Sequence, residues 1–334
     1  MIRIALDVMG GDDAPVSPLA GAVSALTDLS DDVVIQLVGR RDVVEPQLPA
    51  AGRGDPRLEF VEAAEVIDMG EKPLAAIRSK RGSSIHVGLE LQREGRSNAF
   101  ISAGNTGAVM AASTLILRLH PGFERPAIGA PFPTADHIVL LMDGGANVDC
   151  SAQELVGFAH LGIVYARDVL CRPEPAVGLL NIGEEEEKGN AATKEAYRLL
   201  GESGLRFVGN VEGRHILFGR TDEGPFDVVV CDGFVGNVLL KFYESVAHVV
   251  EALVRKELGD QPGLGEVMRR VMRRIDYAEY GGAPLLGVRG ISIICHGRSS
   301  PAAFRSAIKV AERAARNHLE QDMTREFAAW GVPA

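Results

Sequence analysis

Short runs of β-branched and other apolar residues alternate along the chain with longer stretches whose apolar positions recur at helical spacing. The short runs predict strands at Ile2–Val8, Val33–Val38, Leu58–Val61, Asn98–Ser102, Ile138–Met142, Ala176–Asn181, Arg206–Val208, Asp227–Cys231 and Ile291–Cys295. The longer stretches predict helices at Ser84–Glu94, Thr106–Leu119, Ala152–Leu170, Ala191–Leu200, Val235–Leu258 and Pro301–Leu319. Several strand runs are apolar on both faces, which is typical of a sheet covered by helices on both sides. The alternation therefore predicts an α/β fold with a mainly parallel sheet.

No repeat, low-complexity linker or break in composition divides the chain. We therefore predict a single α/β domain over residues 1–334. The segment Asp260–Gly265 contains Pro and Gly and separates two helical stretches. It predicts the tip of a protruding helical hairpin that spans residues 235–276.

Composition excludes several classes of protein. Hydrophobic residues make up 46% of the 334 residues and charged residues 24%, which excludes a disordered or fibrous chain. The net charge of −10 argues against a general nucleic-acid binder. The longest helical apolar stretch, Ala108–Leu117, is far shorter than the ~18–20 residues that cross a bilayer. The start of the chain does not resemble a signal peptide, and the four cysteines are scattered, so we expect a cytoplasmic protein with reduced thiols.

Gly-rich turns carrying Asn or Asp follow five of the predicted strands. The carboxyl ends of parallel strands share one edge of a sheet, where glycine amides and helix N-termini can bind an anion. These turns therefore predict a phosphate site, although an ordinary βα connection would also explain each turn taken singly, with Asn105 and Asn147 satisfying the turn backbone. The candidate substrate-binding residues are Gly10, Gly11, Asp12, Gly104, Asn105, Thr106, Gly144, Asn147, Asp232 and Gly236. We expect the carboxylates of Asp12 and Asp232 to orient loop amides or Lys188, because they would repel a phosphate that they faced directly.

The usual nucleotide motifs are missing from the sequence. It contains neither G-x-G-x-x-G after a strand nor G-x-x-x-x-G-K-[ST]. G-x-S-x-G and H-E-x-x-H are also absent. A phosphate site without these motifs indicates inorganic phosphate or a small phosphorylated substrate.

Seven sequence strings, taken together in this order, resemble those of the bacterial phosphate acyltransferase family PlsX. They are Asp7–Asp12 with Ala14-Pro15, Ser102–Ala108, Met142–Asp149, Leu180–Asn190, Gly209–Gly213, Asp232–Lys241 and Tyr280–Val288. The resemblance implies an enzyme that makes acyl phosphate from acyl-acyl carrier protein and inorganic phosphate, for phospholipid synthesis. It also implies a three-layer α/β/α sandwich like that of phosphotransacetylase and isocitrate dehydrogenase, and a homodimer that associates peripherally with the membrane. A downstream glycerol-3-phosphate acyltransferase is a further partner that this role suggests.

Three side chains are the candidate catalytic groups. The resemblance assigns function to Lys188, which would hold phosphate as a point charge, and to Asn237, whose amide could donate to phosphate or to the forming oxyanion. The alternatives are a surface helix lysine and a turn or cap asparagine. His296 follows the last predicted strand and could protonate the departing thiol, or it could be a structural histidine. The four glutamates before Lys188 are expected to begin a helix, and we expect neither a metal nor a cofactor.

The densest basic patch lies on the second helix of the predicted hairpin. Arg269, Arg270, Arg273 and Arg274 lie opposite an apolar stripe formed by Val267, Met268, Val271, Met272 and Ile275. This patch could bind the acidic carrier protein or anionic lipid, could lie in a dimer contact, or could be a solvated helix face.

Two other functions stay open at this point. A phosphotransacetylase-like enzyme acting on small acyl-coenzyme A would need the same fold and the same phosphate site. A non-catalytic, membrane-associated organiser of lipid synthesis could also keep a phosphate site, but the presence of Lys188 and Asn237 argues against it.

Overall fold

A computed structural model of the chain describes residues 1–259, 263–275 and 280–330. The chain forms two compact units: unit 1 is Met1–Pro126 with Tyr280–Ala334, and unit 2 is Ala127–Glu279. A compact unit is not the same as an independently folding domain, so the single domain stays a prediction. Residues 260–262 at the predicted hairpin tip and Asp276 at its end lie outside the described residues.

The strands and helices alternate through most of the chain. The strands are β1 (Ile2–Asp7), β2 (Val33–Gly39), β3 (Leu58–Glu62), β4 (Ala99–Ser102), β5 (Ala127–Pro133), β6 (Ile138–Met142), β7 (Val177–Leu180), β8 (Phe207–Val211), β9 (Arg220–Thr221), β10 (Gly224–Pro225), β11 (Val228–Val230), β12 (Ala283–Leu286) and β13 (Ile291–Ile294). The helices are α1 (Val16–Ala25), α2 (Arg41–Gln47), α3 (Pro73–Ser79), α4 (Ser84–Arg93), α5 (Thr106–Ile116), α6 (Ala152–Asp168), α7 (Ala191–Glu202), α8 (Gly213–Ile216), α9 (Gly233–Leu258), α10 (Leu264–Ile275), α11 (Pro301–Arg316) and α12 (Leu319–Ala329).

In unit 1 the strand order is β3-β2-β1-β4-β13-β12, and all pairs are parallel except β12 with β13. Ile2 of β1 lies opposite Val33 of β2, and Ile4 lies opposite Ala99 of β4. Strand β2 is buried along its whole length, which requires cover on both faces of the sheet. The register brings the carboxyl ends of β1, β4 and β13 to one edge.

In unit 2 the order is β5-β6-β11-β7-β8, with β5 antiparallel to β6 and the other pairs parallel. Its core is closed by aromatic and aliphatic side chains, among them Phe132, Val139, Ile216 and Phe226. The carboxyl ends of β6, β7, β8 and β11 therefore lie at one edge of this sheet. The α/β fold with a mainly parallel sheet is confirmed.

The two helices of the predicted hairpin are present in unit 2. Helix α9 has 26 residues, and most side chains beyond its first turns are exposed. In α10 the side chain of Met268 is buried, whereas Val267 and Val271 are exposed. No described helix is long and apolar enough to span a bilayer.

Three local predictions differ from the structure. The glutamate run forms a turn rather than the start of a helix, and helix α7 begins only at Ala191, after the cap residue Asn190. Strands β5 and β12 are not among the predicted strands; β5 contains Pro131 and Pro133, which are unusual inside a strand. Helix α5 ends at Ile116 because Arg118 takes a left-handed conformation with φ of 67°.

Candidate functional site

In unit 1 the Gly-rich turns after β1 and β4 touch each other directly. A Cβ atom on Gly10 would lie 2.6 Å from the backbone nitrogen of Gly104, so only glycine permits this approach. The backbone N–H of Asp12 donates to the carbonyl oxygen of Gly297, over 2.7 Å. The structure thus brings together two of the predicted turns, those after β1 and β4, and places beside them the segment after β13 that follows His296.

Asp7 holds these unit 1 turns in place. Its carboxylate is buried and accepts hydrogen bonds from the Ser102 hydroxyl at 2.7 Å and the Met9 N–H at 3.0 Å. The same hydroxyl accepts the Gly104 N–H at 3.0 Å. Burial raises the pKa of Asp7, and the hydrogen bond from Ser102 is the largest opposing effect. Asp7 is therefore a structural anchor that sequence reasoning did not select.

Asn105 caps helix α5. Its Oδ1 accepts the Ala108 N–H at 3.0 Å, and its Nδ2 donates to carbonyl oxygens of the preceding loop, with Met69 at 3.0 Å. Asn105 thus satisfies local backbone groups, which was the alternative to phosphate binding, and a substrate role stays a prediction. Thr106, the first residue of the helix, is exposed.

His296 is half-buried at the end of β13. Its Nδ1 accepts the backbone N–H of Arg298 at 3.2 Å, so the neutral ring carries its proton on Nε2. The geometry leaves Nε2 as the only ring atom able to donate a proton. The role of a proton donor to the leaving thiol stays a prediction.

In unit 2 the turn after β6 is built around the buried carboxylate of Asp143. Its Oδ1 accepts backbone N–H groups of Ile128, Gly145 and Ala146, and its Oδ2 accepts both the backbone N–H and the side-chain amide of Asn147. Burial raises the pKa of Asp143, while these backbone donors favour the ionised form. The carboxylate has no free face for a substrate, so its role is to shape the turn.

Two predicted substrate-binding residues, Asn147 and Asp232, make hydrogen bonds that hold the turns after β6 and β11. Asn147 is buried and points its amide at Asp143 at 2.9 Å. Asp232 caps helix α9: its Oδ1 accepts the Phe234 N–H at 2.8 Å, and its Oδ2 accepts the Cys150 N–H at 2.9 Å. Asp232 thus orients loop amides, which is one of the two roles expected for it. Direct substrate contacts of both side chains stay predictions.

The first turn of α9 packs backbone against backbone on the Asp143 turn. A Cβ atom on Gly236 would collide with the carbonyl oxygen of Asp143, and a Cβ atom on Gly145 would lie 3.1 Å from that of Asn237. Asn237 itself is exposed, and its amide has no hydrogen-bond partner in residues 1–259, 263–275 and 280–330. Its donor is therefore available to a ligand.

Lys188 lies on the turn after β7, and not on a helix. Its side chain is about half exposed and passes over Gly183, and its Nζ is 3.9 Å from the nearest oxygen of Glu185. At that distance between exposed groups the attraction is weak. The ammonium can therefore turn to an anion at the cost of only a weak contact.

Two asparagines hold the ends of the Lys188 turn. The Asn210 amide donates to the carbonyl oxygen of Glu185 at 2.8 Å, and the Asn181 amide donates to that of Lys188 at 3.1 Å. The same Asn181 amide donates to Oδ1 of Asn210 at 3.0 Å, which ties the two together. Sequence reasoning did not select this pair, although both residues lie within the strings that carry the family resemblance.

An open cavity of about 590 Å³ lies beside this turn. One wall is the turn itself, with Ile182 before Lys188 and Gly189 after it. The opposite wall is one face of α9, and Ile216 of the core lies between them. The cavity is a feature that no sequence pattern had indicated.

The three buried cysteines are poor nucleophiles. Burial raises the pKa of Cys150 and that of Cys295 to about 12, and raises that of Cys231 well above its usual value. These three thiols stay protonated near neutral pH. The four arginines of α10 are all exposed, as a docking surface requires.

Comparison with known proteins identifies the family. The family described as fatty acid synthesis protein matches residues 2–322, and the chain belongs to it. The chain is 48% identical over 320 residues to the phosphate acyltransferase of Heliobacterium modesticaldum, covering 93% of each protein. It is 47% identical over 318 residues to the phosphate acyltransferase of Desulforamulus reducens, again covering 93% of each. The predicted family and enzyme class, an acyltransferase, are confirmed.

Solved structures show the same fold at low sequence identity. A phosphotransacetylase from Streptococcus pyogenes aligns with a TM-score of 0.64 at 15% identity, covering 94% of each chain. The EutD phosphotransacetylase from Staphylococcus aureus aligns with a TM-score of 0.61, also at 15% identity and 94% coverage. The predicted phosphotransacetylase-like architecture is therefore confirmed.

Proposed function

We propose that the chain is a phosphate acyltransferase that moves a long acyl group from acyl carrier protein to inorganic phosphate, producing acyl phosphate for phospholipid synthesis. The observation that carries the proposal is the Lys188 turn, which presents a weakly paired ammonium at the sheet edge of a protein from this family. An ammonium is a suitable point charge for an anionic substrate.

The reaction needs no covalent enzyme intermediate. A phosphate oxygen attacks the thioester carbonyl carbon, a C–O bond forms, and the carbonyl oxygen becomes an oxyanion. The C–S bond then breaks, and the carrier thiolate leaves and takes up a proton. Phosphate is already a nucleophilic anion near pH 7, so positioning and electrostatic stabilisation are the main demands on the protein. The raised pKa values of Cys150, Cys231 and Cys295 support direct attack.

Lys188 and Asn237 divide these tasks. Lys188 holds the phosphate charge, and the unpartnered Asn237 amide donates to phosphate or to the oxyanion. The N-terminal end of α9, anchored on the Asp143 turn, adds the positive end of its dipole. His296, with its proton on Nε2, is the proposed proton donor to the thiolate.

The α10 arginines are the proposed docking surface for the carrier protein. Arg269, Arg270, Arg273 and Arg274 are exposed, whereas the whole chain carries a net charge of −10. A local positive patch attracts an acidic partner and speeds its encounter. The exposed apolar residues in the second half of α9, Val246, Val249, Val250 and Leu253, support a homodimer contact. The proposed location is cytoplasmic with peripheral membrane contact, where a glycerol-3-phosphate acyltransferase would consume the product.

Acyl phosphate formation tests the function directly. Purified protein, acyl-carrier protein and phosphate are incubated, and the product is trapped with hydroxylamine. We expect Lys188→Ala to lower the rate by about 10²–10³-fold, as loss of one charge-stabilising contact commonly does. Lys194→Ala is the matched control, because Lys194 is exposed on α7. Equal rates in the two variants would refute the role of Lys188, and no trapped product from the unmodified protein would refute the function.

A further inference from the structure

The cavity beside the Lys188 turn is lined almost entirely by hydrocarbon. Its wall on α9 is formed by Val235, Val238, Leu239 and Phe242, which recur at helical spacing and form one stripe. Several of these side chains are exposed, with Phe242 at 66%. Ile182 on the opposite wall is 82% exposed. Such a concentration of exposed apolar side chains marks a binding surface.

Most polar groups at the cavity wall are already engaged within the fold. Oδ1 of Asn190 accepts the backbone N–H of Thr193 at 2.9 Å, and the Thr193 hydroxyl donates to the Asn190 carbonyl oxygen at 3.1 Å. The Asn181 amide bonds the Lys188 carbonyl oxygen and Asn210. Among the described residues that line the cavity, none is charged. Beyond the exposed Asn190 amide, a ligand with phosphates or many hydrogen-bonding groups would find few partners here.

The position of the cavity connects it to the reacting end of the substrate. Ile182 and Gly189 flank the turn that carries Lys188, and the Lys188 side chain lies over Gly183. A thioester placed at Lys188 would therefore have its hydrocarbon chain at the mouth of the cavity. The volume of about 590 Å³ is within the ~300–1,000 Å³ usual for a small-molecule site.

We propose that this cavity binds the acyl chain of the substrate and sets the chain-length preference. The proposal rests on the proposed function, because it names where the hydrocarbon part of that substrate lies. Hydrophobic burial stabilises a bound chain in proportion to the number of methylene groups covered, so selectivity for long chains follows from the size of the cavity.

Two variants change the cavity in opposite ways. Phe242→Ala removes part of one wall, and Val238→Phe fills the space. The matched control is Phe218→Ala, because Phe218 is in unit 2, is 58% exposed and is not a lining residue. All three positions are at least half exposed, so folding should be preserved, and thermal unfolding checks this.

The assay compares acyl-carrier proteins with chains of four and sixteen carbons. We expect Phe242→Ala to lower kcat/KM for the long chain by about tenfold and that for the short chain by less than about twofold. Val238→Phe should reduce turnover of the long chain more strongly and keep the short one, whereas Phe218→Ala should change neither. A long chain carrying a terminal diazirine should label the segments around residues 182 and 235–242.

Three results would contradict the proposal. Equal losses for both chain lengths would show that the cavity does not hold the chain. A change in oligomeric state without a change in selectivity would show that a second copy of the protein covers it. Labelling outside these segments would place the chain elsewhere. In each case the unmodified protein still forms acyl phosphate, so failure of this inference is distinct from failure of the proposed function.

Discussion

Asn210→Ala tests whether the asparagine pair positions Lys188. Asn210 is 3% exposed, and the substitution removes its hydrogen bonds to the Glu185 carbonyl oxygen and from the Asn181 amide. Each such bond contributes about 1 kcal/mol net, so about 2 kcal/mol that holds the turn is lost. If all of this free energy serves to hold Lys188 in position, its loss lowers kcat/KM for phosphate by up to about 30-fold.

Initial rates at varied phosphate, with unfolding measured in parallel, separate positioning from stability. The matched control is Asn98→Ala in unit 1, which removes one hydrogen bond to the Arg3 N–H. We expect the control to lose stability without a change in the KM for phosphate, and Asn210→Ala to raise that KM. The positioning role would be refuted if the two variants had the same KM for phosphate. It would also be refuted if Asn210→Ala were destabilised but kept unchanged kinetics.

Three further predictions address other parts of the molecule. Gly236→Ala should remove most activity and lower the melting temperature, because its Cβ would collide with the Asp143 carbonyl oxygen; normal melting and turnover would contradict the close packing. Burial, together with the nearby Arg289, lowers the pKa of His120 to about 4, whereas the pKa in the unfolded chain is about 6.5. The contribution of His120 to the free energy of unfolding is therefore fully present above pH 6.5 and is lost as the pH falls towards 4. We expect urea unfolding to show a loss of about 2 kcal/mol from pH 7 to pH 5 that His120→Gln abolishes; a similar slope in the variant would contradict it. Reversing Arg269 and Arg273 to Glu should raise the KM for carrier protein without lipid present, more so at low salt; loss of vesicle binding alone would indicate a lipid surface instead.

The periodicity of the sequence was sufficient for most of the fold. Buried strands such as β2 are apolar at nearly every position, and their order along the chain follows the βαβ rule. Strand β5 could not be predicted, because Pro131 and Pro133 are compatible with a strand only where a particular partner spares their missing N–H groups. Which strand pairs with β5 is known only from the tertiary structure.

The site residues likewise divide into those that the sequence indicated and those whose role only the tertiary structure reveals. Lys188 and Asn237 came from the family resemblance, and the structure shows an exposed side chain at each. Asn105 and Asp232, in contrast, have the residue types that suit both a helix cap and an anion site, and only their hydrogen bonds reveal the cap. Asn210 was missed because its partners are the backbone of a turn that lies 25 residues away in the chain.

The close packing of the first turn of α9 on the Asp143 turn affects the position of the whole helix. The helix has 26 residues and is therefore about 39 Å long, fixed at its first turn and largely unsupported by side-chain burial further along. Over this length, a tilt of about 5° at the first turn of α9 moves its C-terminal end by about 3 Å. Gly233 and Gly236 permit the close packing at the first turn, so a larger residue at either position should displace the far end of α9 more than its beginning.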